Sequence, residues 1–128
     1  MKILLDTHTF LWAILNDPQL SHRVVQAIID PSNQAFVSVA SSWEISIKYS
    51  LGKLSLPQPP DQYLPVQRSM AGFELLLVDE PEVCQLHRLP PVHRDPFDRL
   101  LIAQANCYGM TLATDDAVFS RYPVRTLW

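Results

Sequence analysis

Residues 93 to 109 read HRDPFDRLLIAQANCYG and predict a helix whose two ends are both encoded in the sequence. Asp95 is a typical N-cap, Pro96 suits the first helical position, and Gly109 suits the residue just beyond the last turn. A second acid, Asp98, falls in the first turn, where a carboxylate faces the positive end of the helix dipole. Helix capping alone would explain both acids. By itself, the stretch therefore predicts a helix and does not yet indicate a function.

Other acids occupy comparable positions along the chain. Asp6 directly follows an apolar run, and Glu44 lies near the start of another predicted helix. Asp115 and Asp116 follow a later apolar run. In an open α/β sheet, the carboxyl ends of the parallel strands and the amino ends of the following helices share one edge, so these acids are expected to converge. Converging carboxylates repel one another unless a cation lies among them.

Short apolar runs alternate with helical patterns over the whole chain. This alternation predicts an α/β fold, in which helices cover both faces of a mostly parallel sheet of about five strands. At 128 residues, of which 48% are hydrophobic, the chain is expected to form a single domain over residues 1 to 128. The predicted strands cover residues 2 to 5, 35 to 39, 74 to 78, 110 to 114 and 124 to 128.

Capping patterns predict where two further helices begin. Thr9 is expected to cap a helix that starts at Phe10, and Ser41 with Glu44 has the spacing of a capping box for a helix over residues 41 to 51. Three large apolar residues recur at helical spacing in the second helix, which favours packing against the core over platforms for nucleobases. These residues are Trp43, Ile47 and Leu51.

Bulk charge argues mildly against a nucleic-acid partner. The formal net charge is -3 and the sequence pI is about 5.7, whereas nucleic-acid binders are usually basic. The argument is weak, because bound metal would neutralise several acids and leave basic side chains to meet phosphates locally. The basic residues available for this are Lys48, Lys53, Arg68, Arg88, Arg94, Arg99 and Arg121.

The two cysteines and the N-terminus indicate an ordinary cytoplasmic protein. Cys84 and Cys107 lie in apolar helical patterns, have no zinc-binding spacing and are expected to be buried thiols. No apolar run approaches the roughly 20 residues that would span a bilayer. The chain also lacks a cationic stretch followed by an apolar segment and a cleavage site. The expected compartment is the cytoplasm, without membrane association.

The chemistry best suited to four converging acids is metal-assisted hydrolysis of a phosphodiester. Mg²⁺ and Mn²⁺ prefer carboxylate and water oxygens, and four acids suit one or two such ions. The chain offers no Ser/His/Asp trio at suggestive positions and no glycine-rich phosphate loop. The nucleophile would therefore be water, activated by the metal. His8 lies beside the acids and is interpreted as a loop residue near the site rather than as a ligand.

Four motifs together resemble the PIN-domain ribonucleases and, within them, the VapC-type toxins of type II toxin-antitoxin modules. The resemblance runs through the whole chain in order, and the third motif is specific by its length. The motifs are DTHTFLW at residues 6 to 12, WEISIK at 43 to 48 with GKL at 52 to 54, HRDPFDRLLIAQA at 93 to 105, and TDD at 114 to 116.

This resemblance implies which acids act, position by position. The implied metal-binding and catalytic residues are Asp6, Glu44, Asp98 and Asp116, and Thr114 would support the last of them. Asp95 matches the motif as well, but it also has the position of the helix cap. Asp115 is a neighbour of Asp116, so the assignment within that pair could shift by one residue.

The resemblance also implies a function and partners. The chain would be a Mg²⁺- or Mn²⁺-dependent endoribonuclease with a PIN-like three-layer fold, an RNA substrate, a cognate antitoxin protein and a homodimeric state. A domain this small cannot bury every large apolar group, so some are expected to be exposed where partners bind. The candidates are Trp12, Trp43, Tyr49, Leu51, Leu54, Leu56 and Tyr63.

Two alternatives remain from the sequence. A catalytically silent PIN fold would serve as a binding module, and metal binding without RNA cleavage would distinguish it from the enzyme. A Mg²⁺-binding receiver-like signalling domain would use Asp79 as phosphoacceptor. That domain would require a pair of acids after the first strand and a lysine after the last, and the sequence has neither. Asp79 is better explained as the start of a helix, because Pro81 and Glu82 follow it.

Overall fold

Five parallel strands form one sheet in the computed structural model, which describes residues 1 to 128. The spatial order is β3-β2-β1-β4-β5, so β1 is central and the chain changes direction across the sheet at β1. The mostly parallel five-stranded sheet predicted from the sequence is confirmed. The strands are β1 (Lys2–Leu5), β2 (Gln34–Ser38), β3 (Glu74–Leu76), β4 (Thr111–Ala113) and β5 (Thr126–Leu127).

Helices cover both faces of this sheet and complete three layers. Alternate residues of β1 pack on opposite faces of the sheet: Ile3 and Leu5 belong to one buried apolar cluster, and Leu4 belongs to the other. Single 3-10 turns span Leu86–Arg88 and Ala117–Arg121. The helices are α1 (Thr7–Ile14), α2 (His22–Ile29), α3 (Val39–Ser50), α4 (Pro60–Met70), α5 (Glu80–Cys84) and α6 (Pro96–Tyr108).

The helix α6 has the ends that the sequence predicts. The Asp95 carboxylate accepts hydrogen bonds from the backbone N–H groups of Phe97 at 2.9 Å and Asp98 at 3.3 Å. Gly109 ends the helix with φ +64, a left-handed conformation that favours glycine. Six consecutive residues of its middle, from Leu100 to Ala105, are buried. This helix therefore anchors one face of the sheet and fixes where Asp98 lies.

The predicted starts of α1 and α3 were wrong. Helix α1 begins directly after β1, because Asp6 rather than Thr9 is the cap and accepts from the Thr9 backbone N–H at 2.8 Å. Helix α3 is capped by Ser38, whose side chain accepts from the Ala40 N–H at 3.0 Å. Ser41 and Glu44 are therefore not a capping box.

Two predictions of burial were also wrong. Cys84 and Cys107 are exposed free thiols. On α3, the buried residues are Ala40, Ser41, Glu44 and Ile45, whereas Trp43, Ile47 and Leu51 are exposed. The face of α3 that packs inward thus combines Ala40 and the core residue Ile45 with the polar side chains of Ser41 and Glu44. No helix in the chain combines the length and the apolar character that crossing a membrane requires.

Candidate metal centre

All four acids implied by the resemblance line one cavity of about 220 Å³. The cavity lies at the carboxyl edge of the sheet, where β1 and β4 adjoin and the strand order reverses, which is the usual place for a ligand in an open α/β sheet. Asp95 lines the cavity too, but Asp115 does not. The lining residues are Asp6, Thr7, His8, Glu44, Lys48, His93, Asp95, Asp98, Asp116 and Phe119.

Asp6 is held between the two central strands. Its backbone N–H donates to the Ala113 carbonyl at 3.1 Å, and the Thr9 hydroxyl donates to the same carbonyl at 3.0 Å. Burial raises the pKa of the Asp6 carboxyl, while hydrogen bonds from Thr114 and Thr9 act in the opposite direction. The carboxylate is thus fixed in position but poorly solvated, which favours a bound cation.

Glu44 has a partner for each carboxylate oxygen. The Thr7 hydroxyl donates to Oε1 at 2.7 Å, and the Lys48 ammonium contacts Oε2 at 2.7 Å. The Thr7 hydroxyl also lies 3.1 Å from the hydroxyl of Ser41. The contact between Thr7 and Glu44 joins α1 to α3, so it holds a buried acid at the edge of the cavity although the two residues are far apart in sequence.

Asp98 is the acid whose charge is least favourable in this structure. Burial and the negative charges of Asp95 and Glu44 raise its pKa to about 6, although His93 acts in the opposite direction. The His93 Nε2 atom lies 2.9 Å from Asp98 Oδ2. An acid in these surroundings is stabilised by any additional cation.

His93 is a site residue that the sequence reasoning missed. Ligand atoms of His93, Asp95 and Asp98 all lie within 4.8 Å of one another, and this is the only such group in the chain. The sequence signal that could have identified it is its position in the longest motif, two residues before Asp95, the cap of α6. Together with the other acids, this oxygen-rich donor set fits a divalent cation such as Mg²⁺ or Mn²⁺.

Asp116 reaches the cavity, whereas its neighbour does not. The Asp116 side chain accepts from the Val118 N–H at 3.0 Å, and the Asp116 N–H donates to the Thr114 hydroxyl at 3.1 Å. Thr114 therefore contacts the residue it was expected to support. Asp115 and Asp116 are both exposed, but Asp115 lies outside the cavity lining and Asp116 is part of it. This geometry favours Asp116 over Asp115 as the fourth acid.

Three of the basic residues suggested for phosphate contacts are already engaged within the protein. Lys48 pairs with Glu44, and Arg68 donates to the Phe73 carbonyl at 3.1 Å. Arg99 donates to the carbonyls of Pro90 at 2.9 Å and Leu86 at 3.0 Å. Arg99 thus has a structural role as well, because it ties the loop before α6 to the body of the helix.

Arg99 and Tyr122 also hold His93 in place. The Arg99 guanidinium lies 3.3 Å from the Tyr122 hydroxyl, and this hydroxyl accepts from the His93 backbone N–H at 2.8 Å.

Asp79 has a structural role of its own: its N–H donates to the Glu82 side chain at 2.9 Å at the start of α5. Asp79 does not line the acid cavity, so the receiver-like alternative has no phosphoacceptor there.

Comparison with known proteins gives one curated relative of partial length. Ribonuclease VapC16 from Mycobacterium tuberculosis is 44% identical over 50 residues, which cover 39% of this chain and 36% of that protein. The match thus spans about a third of the relative's length.

Two solved structures share the fold over nearly their full length. The structure of VapBC2 from Rickettsia felis bound to a promoter DNA fragment matches with a TM-score of 0.73 at 17% identity, covering 100% of this chain and 99% of that chain. VapBC-1 from nontypeable Haemophilus influenzae matches with a TM-score of 0.65 at 15% identity, covering 99% and 97%. At these identities the likeness shows the fold alone.

A family model extends over almost the entire sequence. The model described as the PIN domain matches residues 3–125, which include β2, β3, β4, all of β1 except its first residue, and all of the acids that line the cavity. The parallel sheet and the acid-lined edge agree with that match. The chain therefore belongs to the PIN domain family.

Proposed function

We propose that this PIN domain is a divalent-metal-dependent endoribonuclease and the toxin of a toxin-antitoxin pair. The observation that carries the proposal is the convergence of Asp6, Glu44, Asp98 and Asp116, which come from four separate segments, on one cavity. Carboxylates gathered in this way are the usual protein ligands of Mg²⁺ or Mn²⁺ in sites that bind phosphate groups. The cytoplasm is the proposed location, because RNA is available there.

The similarity to known proteins supports RNA as the substrate and a second protein as the partner. The curated relative is named a ribonuclease. The two structural relatives are complexes named VapBC, and one of them is bound to promoter DNA. Through the resemblance to VapC-type toxins, these names favour an RNA-cutting toxin whose activity a cognate antitoxin controls.

The four acids would hold the metal, and the residues around them would keep these acids in position. When bound, a divalent ion lowers the pKa of a water molecule and polarises a phosphoryl oxygen. Thr7 and Lys48 orient Glu44, while His93 orients Asp98 through the 2.9 Å contact. These side-chain contacts limit the motion of the carboxylates, so a phosphodiester would meet a preformed site.

Chelation is the direct test of the metal requirement. RNA cleavage by the purified protein is expected to stop in excess EDTA and to return when Mg²⁺ or Mn²⁺ is added, because the proposed mechanism activates water and polarises the phosphate through the bound ion. Cleavage of a labelled RNA is measured on a gel, with an Asp98→Asn preparation as the control for contaminating nuclease. Cleavage that persists after exhaustive chelation would contradict the mechanism, and metal binding without any cleavage would identify a silent binding module.

Exposed apolar side chains on two adjacent helices support the proposed homodimer and antitoxin. Leu51, just after α3, is 62% exposed, and Met70 at the end of α4 is 76% exposed. Val66 on α4 is exposed as well. Of the seven residues suggested from the sequence, Trp43 and Leu51 are exposed, Tyr63 is buried and the other four are partly buried. Apolar groups left uncovered in a domain of this size are suited to contacts with another protein.

Mass measurement tests both partners. Light scattering of the isolated chain is expected to give the mass of a dimer, and addition of the protein encoded directly upstream is expected to give a larger complex without ribonuclease activity. Burial of the exposed side chains of α3 and α4 would stabilise both assemblies. A monodisperse monomer whose activity is unaffected by the upstream protein would leave a free-standing ribonuclease.

A further inference from the structure

We propose that Trp43 is a stacking platform for one base of single-stranded RNA, beside the nucleotide whose phosphate enters the acid cavity. This inference rests on the proposed function in one respect, namely that the substrate is RNA. It adds a defined contact with a base, and with it a preference for unpaired RNA. The contact lies outside the acids themselves.

The exposure of Trp43 is the first observation. Its side chain is 61% exposed, although helical spacing in the sequence predicted that it packs against the core. Its ring meets the Phe97 ring edge to face, with 5.0 Å between the ring centroids and 86° between the planes. The indole is thus supported by a neighbour while much of its surface remains open to a ligand.

The position of the two rings relative to the acids is the second observation. Trp43 directly precedes Glu44 on α3, and Phe97 directly precedes Asp98 on α6. The Phe97 backbone N–H donates to the capping carboxylate of Asp95 at 2.9 Å, so the start of α6 is fixed where it carries both the supporting ring and an acid. A base stacked on Trp43 would therefore be held at a constant distance from the cavity.

A groove connects the acids with one ring of the pair, that of Phe97. It has a volume of about 380 Å³ and shares Glu44, Lys48 and Asp95 with the acid cavity. Its lining also includes Phe97 and Arg94, whereas Trp43 is not part of it. A nucleotide strand that places a phosphate among the acids thus has a path to the ring against which the Trp43 indole packs.

The groove is lined by two bases, Lys48 and Arg94, and by two acids, Glu44 and Asp95, so it suits a charged ligand better than an apolar protein segment. Arg94 is exposed and makes no ion pair or side-chain hydrogen bond in this structure, unlike Lys48, which pairs with Glu44. A free guanidinium suits the backbone phosphate of a nucleotide. Aromatic side chains combined with cations along a groove are how proteins hold single strands, because a base in a duplex has no free face to stack.

The test also distinguishes a different occupant, a protein partner. Trp43 and Phe97 border an apolar pocket of about 230 Å³ that includes Val83 and Leu86. A protein partner that used Trp43 as part of this pocket would respond to substitution through its assembly state rather than through its affinity for RNA.

Binding of RNA is measured first, separately from cleavage. In an Asp98→Asn background, which prevents turnover, anisotropy of a labelled single-stranded oligoribonucleotide reports affinity at fixed salt. Trp43→Leu is expected to weaken binding roughly five- to hundredfold, the range of one base stacked on an aromatic ring. Trp43→Phe retains a ring and is expected to lose only a fraction of that. Ile29→Ala, which removes a 64% exposed apolar side chain on α2, is expected to leave affinity unchanged.

Salt dependence separates the base contact from the phosphate contact. Arg94→Gln is expected to reduce the slope of log affinity against log salt by about 0.7, the value for one phosphate contact on a single strand, while Trp43→Leu leaves the slope unchanged. In the active protein, Trp43→Leu is expected to raise KM with kcat nearly unchanged, because stacking is equally strong before and during the reaction. Circular dichroism verifies that each variant is folded.

The outcomes are distinguishable from failure of the proposed function. If the wild-type protein cleaves no RNA with any divalent ion, yet binds it through Trp43, the platform stands and the nuclease proposal falls. Equal RNA affinity and equal KM for the wild type, Trp43→Phe and Trp43→Leu would overturn the platform. A shift in oligomeric mass of Trp43→Leu with unchanged RNA affinity would also overturn it, and would assign the ring to a protein interface.

Discussion

Asp98→Asn is expected to lower RNA cleavage about a thousandfold or more. The substitution keeps the size of the side chain and its ability to bond to His93, but removes a negative charge from the proposed metal ligands. Loss of several kcal/mol of electrostatic stabilisation corresponds to such a factor, since each 1.36 kcal/mol changes a rate tenfold. Turnover under saturating Mg²⁺ or Mn²⁺ is the measurement. Cleavage at the wild-type rate would remove Asp98 from the mechanism.

The same substitution is expected to stabilise the metal-free protein at neutral pH. The pKa of Asp98 is raised from 3.8 to about 6 by folding, so the folded state binds this proton more tightly than the unfolded state. The stability associated with that proton is present below about pH 4 and is lost as the pH rises toward 6. Asn carries no charge, so the Asp98→Asn protein does not lose this stability. The stability that the wild type loses is at most about 3 kcal/mol. Solvent screening reduces it further, since 19% of the Asp98 side chain is exposed.

The capping acid provides the contrast. Asp95→Ala removes two hydrogen bonds to backbone N–H groups at the start of α6 and is expected to cost about 0.5–2 kcal/mol of stability while retaining part of the activity. Urea unfolding in EDTA compares the two variants. An Asp98→Asn protein clearly less stable than wild type from pH 6 to 8 would show that burial and repulsion are not what shift the pKa of this group.

Arg99→Met is expected to destabilise the protein by about 2–5 kcal/mol. The guanidinium donates to two backbone carbonyls, those of Pro90 and Leu86, and lies within hydrogen-bond distance of the Tyr122 hydroxyl. Methionine fills part of the space but leaves these acceptors without their donor, and hydrogen bonds to charged groups contribute about 1.5–3 kcal/mol each. Activity is expected to fall as well, because the loop carrying His93 loses its attachment to α6.

A matched control is available nearby on the chain. Arg94→Met changes the same residue type in the same motif, but Arg94 is exposed and forms no ion pair or side-chain hydrogen bond. The free energy of unfolding of the Arg94→Met protein is therefore expected to differ from that of the wild type by less than about 0.5 kcal/mol. Arg99→Lys is expected to rescue little, because an ammonium lacks the planar fork of donors. Equal urea midpoints for Arg99→Met and Arg94→Met would contradict the structural role of Arg99.

Local sequence patterns were sufficient to predict the sheet and α6. Continuous apolar runs mark strands covered on both faces, and a cap, a proline and a glycine mark the two ends of α6. The face that α3 buries could not be predicted in this way. It depends on long-range contacts such as that between Thr7 and Glu44, which are 37 residues apart, and it places Glu44 and the core residue Ile45 inward and Trp43 outward.

For the candidate site as well, some features could be predicted from the sequence and others depend on long-range contacts. That acids at strand ends would converge follows from the geometry of a parallel sheet, and the resemblance selected four of them. The contribution of His93 was not evident, because it depends on a loop that Arg99 and Tyr122 hold against α6. The contact of Lys48 with Glu44 was not predicted either, because the local pattern gave only a capping box for Glu44 and the resemblance gave only a metal-binding role, whereas the structure shows a buried acid paired with the lysine four residues later.

The central position of β1 has a consequence for how the protein is made. The first strand to leave the ribosome needs two neighbours, and its second neighbour, β4, is synthesised about a hundred residues later. At roughly 5–20 residues per second, β1 waits about 5 to 20 seconds before it can pair with Ala113. Asp116 follows only three residues after Ala113, so the acid cavity cannot assemble until residue 116 has left the ribosome. A nascent chain shorter than this therefore lacks one of the four acids of the proposed metal site.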